Sequence, residues 1–243
     1  MKKISILLIT LFFLSGCSIK YEIAINENLS VDEELVILEY NSVIISNERY
    51  MGGLSTDTKI DVDAAIKSLV NYHREKNPSY LFSPLKEDNK SGMKVVKNYT
   101  DISFLSNSFI PKELYKGLLI DTNSNIVKLS SILPNKIDDL FNADSDITYD
   151  FEKFYVSISL PFVVTKTNAE VIDKKNNIYL WSYDYGMTNK EVILEFDRTK
   201  KFSYEEMRSN YIAKIITYVI VVIVVGVIIG FVFLRKKPDF NKY

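Results

Sequence analysis

The chain of 243 residues holds one cysteine, Cys17, and one histidine, His73. A single thiol excludes an intramolecular disulfide and any cysteine-rich metal site. Any catalytic triad, and most zinc sites of the histidine type, would have to use that one imidazole together with suitable partners. An excess of one charge sign is missing too. Lys and Arg number 30 against 31 Asp and Glu, a formal net charge of −1, whereas a nucleic-acid binder would carry a basic surplus. Eight glycines and six prolines are too few for long disordered linkers. No internal repeat and no low-complexity block is found. What is plentiful is apolar and aromatic: 47% hydrophobic residues, with 16 Tyr and 14 Phe. Those supply an ordinary apolar core for a fold without disulfide support.

Both ends are apolar. Ile215 to Leu234 runs without a charge, and about 20 helical residues cover roughly 30 Å, the thickness of a bilayer core. Arg235, Lys236 and Lys237 follow, and a basic flank predicts a cytoplasmic tail. At the other end Lys2 and Lys3 precede the apolar run Ile4 to Leu14, too short for a span and suited to a signal peptide. Leu14-Ser15-Gly16-Cys17 comes next and resembles the lipobox of bacterial lipoproteins. In them the chain is cut before the cysteine and its sulfur carries diacylglycerol. The expected organisation is a signal peptide over 1–16 cleaved between Gly16 and Cys17, an extracytoplasmic domain over 17–213, a transmembrane helix over 214–234 and a basic cytoplasmic tail over 235–243. A domain of about 190 residues is roughly 40 Å across. With no long linker at either end, both anchors are expected in the outer face of one cytoplasmic membrane.

Within the outer domain, Tyr21, Ile23 and Ile25 alternate with polar residues, as do Val31, Glu33, Leu35 and Ile37. That period of two predicts an opening hairpin turned at Glu27-Asn28. Val43 to Ser46 reads as a short strand extension. Met51-Gly52-Gly53 breaks the pattern. Asp61 or Asp63 caps a helix running to about Lys76, with Ile66, Leu69, Val70 and His73 on one face and Pro78 beyond its end. A polar turn over 87–92 leads into a strand from Met93 to Tyr99. Short helices are expected at 101–105 and 111–116, the second with Pro111 in its first turn. A hairpin joins 117–120 to 125–132, and an acidic connector fills 137–150. From Tyr155 the pattern is β: Val156, Ile158 and Leu160 share a face, then Tyr179, Trp181, Tyr183 and Tyr185, then Val192, Leu194 and Phe196. Residues 200–213 predict an amphipathic helix feeding the span. The expected fold class is α+β, an extracytoplasmic antiparallel β-sheet with one or two packed helices, followed by a single C-terminal transmembrane helix.

Leu160-Pro161, Asn168-Ala169, Trp181 and a closing strand before a membrane helix together resemble the LppM-like bacterial lipoproteins. The two strands straight after the lipid cysteine fit that layout. The resemblance implies a surface-exposed α+β domain with a lipid anchor and a trailing span. Lipid binding is suspected for the mycobacterial member. It brings no catalytic residues to this chain.

Other patterns are weighed on their chemistry. His73 lies one turn after Leu69 and reads as a structural histidine. Ser91-Gly92-Met93-Lys94 has the SxxK spacing of penicillin-binding enzymes, but their serine opens a helix and this one enters a strand. Asn142, Asp144, Asp146 and Asp150 lack the glycine and glutamate of a calcium loop, with Ile147 and Lys153 in those places. The stripe Tyr179, Trp181, Tyr183 and Tyr185 reads first as sheet core and second as a ligand surface. Gly226 and Gly230 have the spacing that lets helices pair closely, a route to a homodimer. No cofactor, metal or nucleic acid is implied. The expectation is a non-enzymatic surface lipoprotein that binds envelope lipid, glycan or a membrane-protein partner. Alternatives are an envelope hydrolase or transferase working through Asp and Glu, and an assembly subunit acting through its transmembrane helix.

Overall fold

The computed structural model describes residues 17–108, 110, 118–132, 151–184 and 191–235. The chain divides into two units, Met1–Phe202 and Ser203–Tyr243.

Unit 1 opens with β1 (Cys17–Ile25) and β2 (Val31–Tyr40), paired antiparallel as the alternation predicts, with Tyr21 opposite Leu35. The turn closes through the Asn26 amide on the Ser30 carbonyl at 2.8 Å, and Leu29 takes a left-handed φ of 64°. Helix α1 (Asn41–Gly52) follows directly. It replaces the strand extension expected at Val43 to Ser46. A run of four residues is too short to fix a period, and Ile44 packs against the core as one turn of helix. Gly53 ends it at φ 57°. Its amide reaches the Tyr50 carbonyl and the Leu54 amide reaches that of Arg49, the paired bonds of a Schellman stop.

Helix α2 (Val62–Lys76) starts on Asp61, whose carboxylate accepts the Ala64 amide at 3.1 Å. Ile66 and Val70 are its buried residues, and His73 stacks on Phe82. Strands β3 (Leu81–Glu87) and β4 (Lys90–Tyr99) form a hairpin. The sequence hides β3, because Pro84 removes a ladder donor; β3 sits at a sheet edge, where that loss is tolerated. Gly92 on β4 is required by contact, since a Cβ there would meet the Ile37 carbonyl oxygen at 1.9 Å. A 3₁₀ segment (Ile102–Asn107) is capped by Asp101. The helix expected at 111–116 lies outside the described residues, as does the acidic connector.

Strands β5 (Leu118–Asp121) and β6 (Ile126–Ile132) make the expected hairpin. Then come β7 (Phe151–Ser159), β8 (Phe162–Thr167), β9 (Val171–Asp173), β10 (Ile178–Asp184) and β11 (Glu191–Lys201). Seven strands form sheet A in the order β3-β4-β2-β1-β7-β10-β9, and four form sheet B in the order β5-β6-β11-β8. All pairs are antiparallel except β1 with β7. Leu160 and Pro161 carry the chain from one sheet to the other, and Phe162 stacks on Phe196 at 5.4 Å. Val192, Leu194 and Phe196 point inward from β11 and are buried. They share one core with Ile19, Tyr21 and Ile23 of β1, Ile66 and Val70 of α2, and Ile102 and Leu105 of the 3₁₀ segment. Each buried side chain of this size contributes about 1.5–3 kcal/mol over leaving it in water. The opposite face of sheet A carries half-buried charge, including the Lys94–Glu34 ion pair at 2.7 Å.

Unit 2 contains α3 (Tyr204–Arg235). The Ser203 hydroxyl accepts the Glu206 amide at 3.3 Å, and Glu205 and Glu206 occupy the first turn, where carboxylates suit the helix dipole. Its 32 residues make about 48 Å of helix. Within Tyr204–Ile229 an 18-residue window reaches a mean hydropathy of 2.9, and none of that window is buried. By length and composition this helix can cross a membrane. It merges the expected amphipathic segment and the span into one element.

Candidate functional site

Two regions bear on the attachment expected from the sequence. Cys17 is the first described residue and already belongs to β1, opposite Phe151; Gly16 and the rest of the expected signal peptide lie outside the described residues. The other exit from unit 1 is Phe202, whose amide donates to the Pro161 carbonyl at 2.7 Å. Pro161 lies just past Ser159, the β7 partner of Ala24 near the far end of β1. Lys201 reaches Glu27, beyond that same end, at 2.6 Å. The two exits therefore lie at opposite ends of β1. Gly226 and Gly230 both fall in α3, on one face by their spacing, and a Cβ on Gly226 would meet nothing within 4 Å.

The aromatic stripe is core. Trp181 and Tyr183 are fully buried and Tyr179 nearly so, which corrects the ligand-surface reading for these three; Tyr185 lies outside the described residues. The physical reason is the facing sheet. The Trp181 indole donates to Asn168 Oδ1 at 2.8 Å, and that oxygen also accepts the Ile193 amide at 2.8 Å, while the Asn168 amide group donates to the Glu191 carbonyl at 2.7 Å. Asn168 thus ties β10 of sheet A to β11 of sheet B. Tyr179 donates to Asn177, which in turn donates to the carbonyls of Leu160 and Phe162. Tyr183 stacks on Phe154 at 5.4 Å. Burial pushes the phenols of Tyr179 and Tyr183 above their ordinary range.

Among the described residues the most enclosed carboxyl is Glu33, with 0% exposure. Sequence reading places it on the face of Val31, Leu35 and Ile37 without naming what it meets. Tyr21 donates to Oε1 at 2.6 Å, Tyr99 to Oε2 at 3.0 Å, and the Ser108 hydroxyl lies 2.9 Å from both oxygens. The Tyr80 hydroxyl joins those of Tyr99 and Ser108 at 2.9 and 3.0 Å. Burial raises the Glu33 pKa; the hydrogen bonds from Tyr21, Ser108 and Tyr99 and the charge of Lys97 pull the other way without cancelling it. Burial also pushes the Tyr99 phenol up. The cluster ties β1, β2, β4 and the chain after the 3₁₀ segment together.

The remaining candidates separate. Ser91 is buried and Lys94 pairs with Glu34 on the other face of β4, as residues three apart on a strand must, so the SxxK spacing assembles nothing. Burial lowers the His73 pKa, with Lys76 adding to the effect, as suits a stacked structural imidazole. A shallow, open depression of about 220 Å³ between α2 and β3 is lined by Lys67, Lys86 and Ser91 among others, below the roughly 300 Å³ at which ligand pockets begin. Among the described residues no group of three His, Cys, Asp or Glu is placed to hold a metal.

No family model and no curated protein matches the chain. The chain is similar to the folded domain of the Mycobacterium tuberculosis LppM protein, solved by NMR. The match covers 76% of this chain and 92% of that one, with 16% identity and a TM-score of 0.48.

Proposed function

We propose that the protein is a bacterial surface lipoprotein, held in the cytoplasmic membrane by diacylglycerol on Cys17 and by α3, with unit 1 outside and residues 235–243 inside. Its outer domain binds envelope lipid, glycan or a membrane-protein partner without catalysing a reaction. The observation that carries the reading is α3: an apolar helix of 32 residues, unburied along its span window, has no use in water and suits a bilayer. Two further observations support it. Cys17 stands at the first strand with no intervening linker, so a lipid there holds the folded sheet itself close to the membrane. The most enclosed carboxyl, Glu33, is sealed from solvent, which favours a structural role over acid–base chemistry.

The test is in-cell crosslinking of the intact protein, with mass analysis of its N-terminal peptide and of everything that copurifies. The expected result is a diacylglyceryl mass on Cys17, abolished in Cys17→Ala, together with a reproducible lipid, glycan or protein adduct. A soluble, unmodified chain that turns over an envelope substrate would overturn the reading. A second reading, assembly through α3, is favoured by the open face at Gly226. It predicts that Gly226→Leu with Gly230→Leu abolishes self-association in the membrane.

A further inference from the structure

The two exits of unit 1 constrain how it meets the bilayer. Strand β1 has nine residues, and at 3.3 Å each its ends stand about 26 Å apart. Cys17 marks one end. Phe202 marks the other, through its bond to Pro161 and the Lys201–Glu27 ion pair. If the strands stood upright with Cys17 at the membrane, Phe202 would be held about 26 Å or more above it. The chain between Phe202 and the apolar run is short. Ser203 to Lys214 precede Ile215, and from Tyr204 onward they are helical. At 1.5 Å per residue that segment reaches about 18 Å, and the extended step from Phe202 to Ser203 adds about 4 Å. Whatever direction α3 takes from Phe202, the exit stands at most about 22 Å above the hydrocarbon edge. A Cys17 bonded to a lipid's glycerol itself stands a few ångströms above that edge, so the exit rises no more than about 18 Å above Cys17.

We propose that unit 1 reclines on the outer membrane surface, with β1 inclined by no more than about 45° to the bilayer plane, so that the partner along its length is the lipid surface itself. This rests on the double-anchor reading above. A lipid on Cys17 pins one end of β1 at the surface, and the segment 203–214 sets the height of the other. The contact is with the membrane as a plane and needs no lipid pocket. It explains how a chain with no linker at either exit satisfies both anchors: the sheet lies down.

Two exposed positions beside β1 report the ends of its axis. Ser42 lies in the first turn of α1, directly after β2 at the Cys17 end, since Leu38 pairs with Ser18. Asn28 lies in the turn between β1 and β2 at the Phe202 end, since Ile25 pairs with Val31 and Lys201 reaches Glu27. Both flank the same strand, so a roll of the sheet about β1 moves them together. Full-length protein carrying Ser42→Cys or Asn28→Cys, labelled with a fluorophore in vesicles whose headgroups carry an energy acceptor, gives the height of each. The inclination predicts heights that differ by less than about two-thirds of the labels' separation along the strand. A larger difference overturns it. A helical insertion of seven residues between Ser209 and Asn210 is expected to raise the Asn28 label by up to about 10 Å and leave the Ser42 label in place. Movement of both labels together, or of neither, also overturns it. The mass of the N-terminal peptide separates the two ways to fail. Absence of lipid on Cys17 removes the anchoring reading, whereas a lipidated chain with an upright axis removes the inclination alone.

Discussion

On the inner face of sheet A, Trp181 and Tyr183 of β10 bury their rings, while Tyr21 and Tyr99 turn their hydroxyls onto Glu33, and Tyr80 turns its own onto Tyr99 and Ser108. Trp181 and Tyr21 even share one cross-strand row, each opposite Val156. Around Trp181 the stabilisation is chiefly area removed from water, with one indole hydrogen bond to Asn168. Around Glu33 the area term is opposed by a desolvated carboxyl that only its hydroxyl partners make tolerable. One face therefore holds two kinds of core: one whose loss leaves a void, and one whose loss leaves unsatisfied polar groups.

Removing the void-forming side is expected to have the largest effect. Trp181→Ala should destabilise unit 1 by about 3–5 kcal/mol, read as a lowered denaturation midpoint of the detergent-solubilised full chain. It leaves a void under β10 and removes the indole bond to Asn168, whose remaining bonds all go to β11, so the β10–β11 tie loosens. Equal midpoints for variant and parent would show that the indole is not the packing centre described above.

Next in size is Glu33→Ala. The hydroxyls of Tyr21, Tyr99 and Ser108 lose their common acceptor, and buried unsatisfied groups cost about 1–3 kcal/mol each. Because the Tyr80 hydroxyl already bonds Tyr99 and Ser108, part of the loss is recovered, and the expected net cost is about 2–4 kcal/mol. Hydrogen exchange sharpens the comparison. Glu33→Ala should deprotect β4 and the 3₁₀ segment, whereas Trp181→Ala should deprotect β10 and β11. The same pattern from both variants would merge the two cores into one.

These regions also differ in how far they can be read in the sequence. The β10 stripe is visible because alternation is local: Tyr179, Trp181 and Tyr183 recur every second residue, and only the facing sheet decides between core and surface. For Glu33, alternation gives the face and nothing more. Its partners Tyr99 and Ser108 are 66 and 75 residues away, and no local pattern joins them. The same limit explains the other differences. The opening hairpin and the Asp61-capped helix are local and legible. Strand β3 is obscured by Pro84, and α1 by an apolar run too short to show a period. The parallel pairing of β1 with β7 needs a register across more than a hundred residues. The lipobox-like sequence and the apolar run are linear patterns visible in the sequence, but the position of Cys17 and Phe202 at opposite ends of β1 depends on that long-range register.

The smallest effect is the most specific to the carboxyl. Burial raises the Glu33 pKa in the folded chain above its ordinary value of 4.5, so between that value and the raised one the folded state holds the proton more tightly than the unfolded state. Stability is then lost as pH rises through this window, and the contribution of Glu33 is fully present only below about pH 4.5. Surface carboxylates with lowered values, such as Asp101, whose pKa is pulled down by its bonds with Ser103, slope the other way and mask the trend in the parent. Glu33→Gln keeps an acceptor for Tyr21 but has no proton to lose. The difference in unfolding free energy, parent minus Glu33→Gln, should therefore fall as pH rises above 4.5, while the same difference for Trp181→Phe stays flat. A flat difference for Glu33→Gln would mean that the hydroxyls of Tyr21, Tyr99 and Ser108 fully offset the burial of the charge. The two cores would then differ in composition alone.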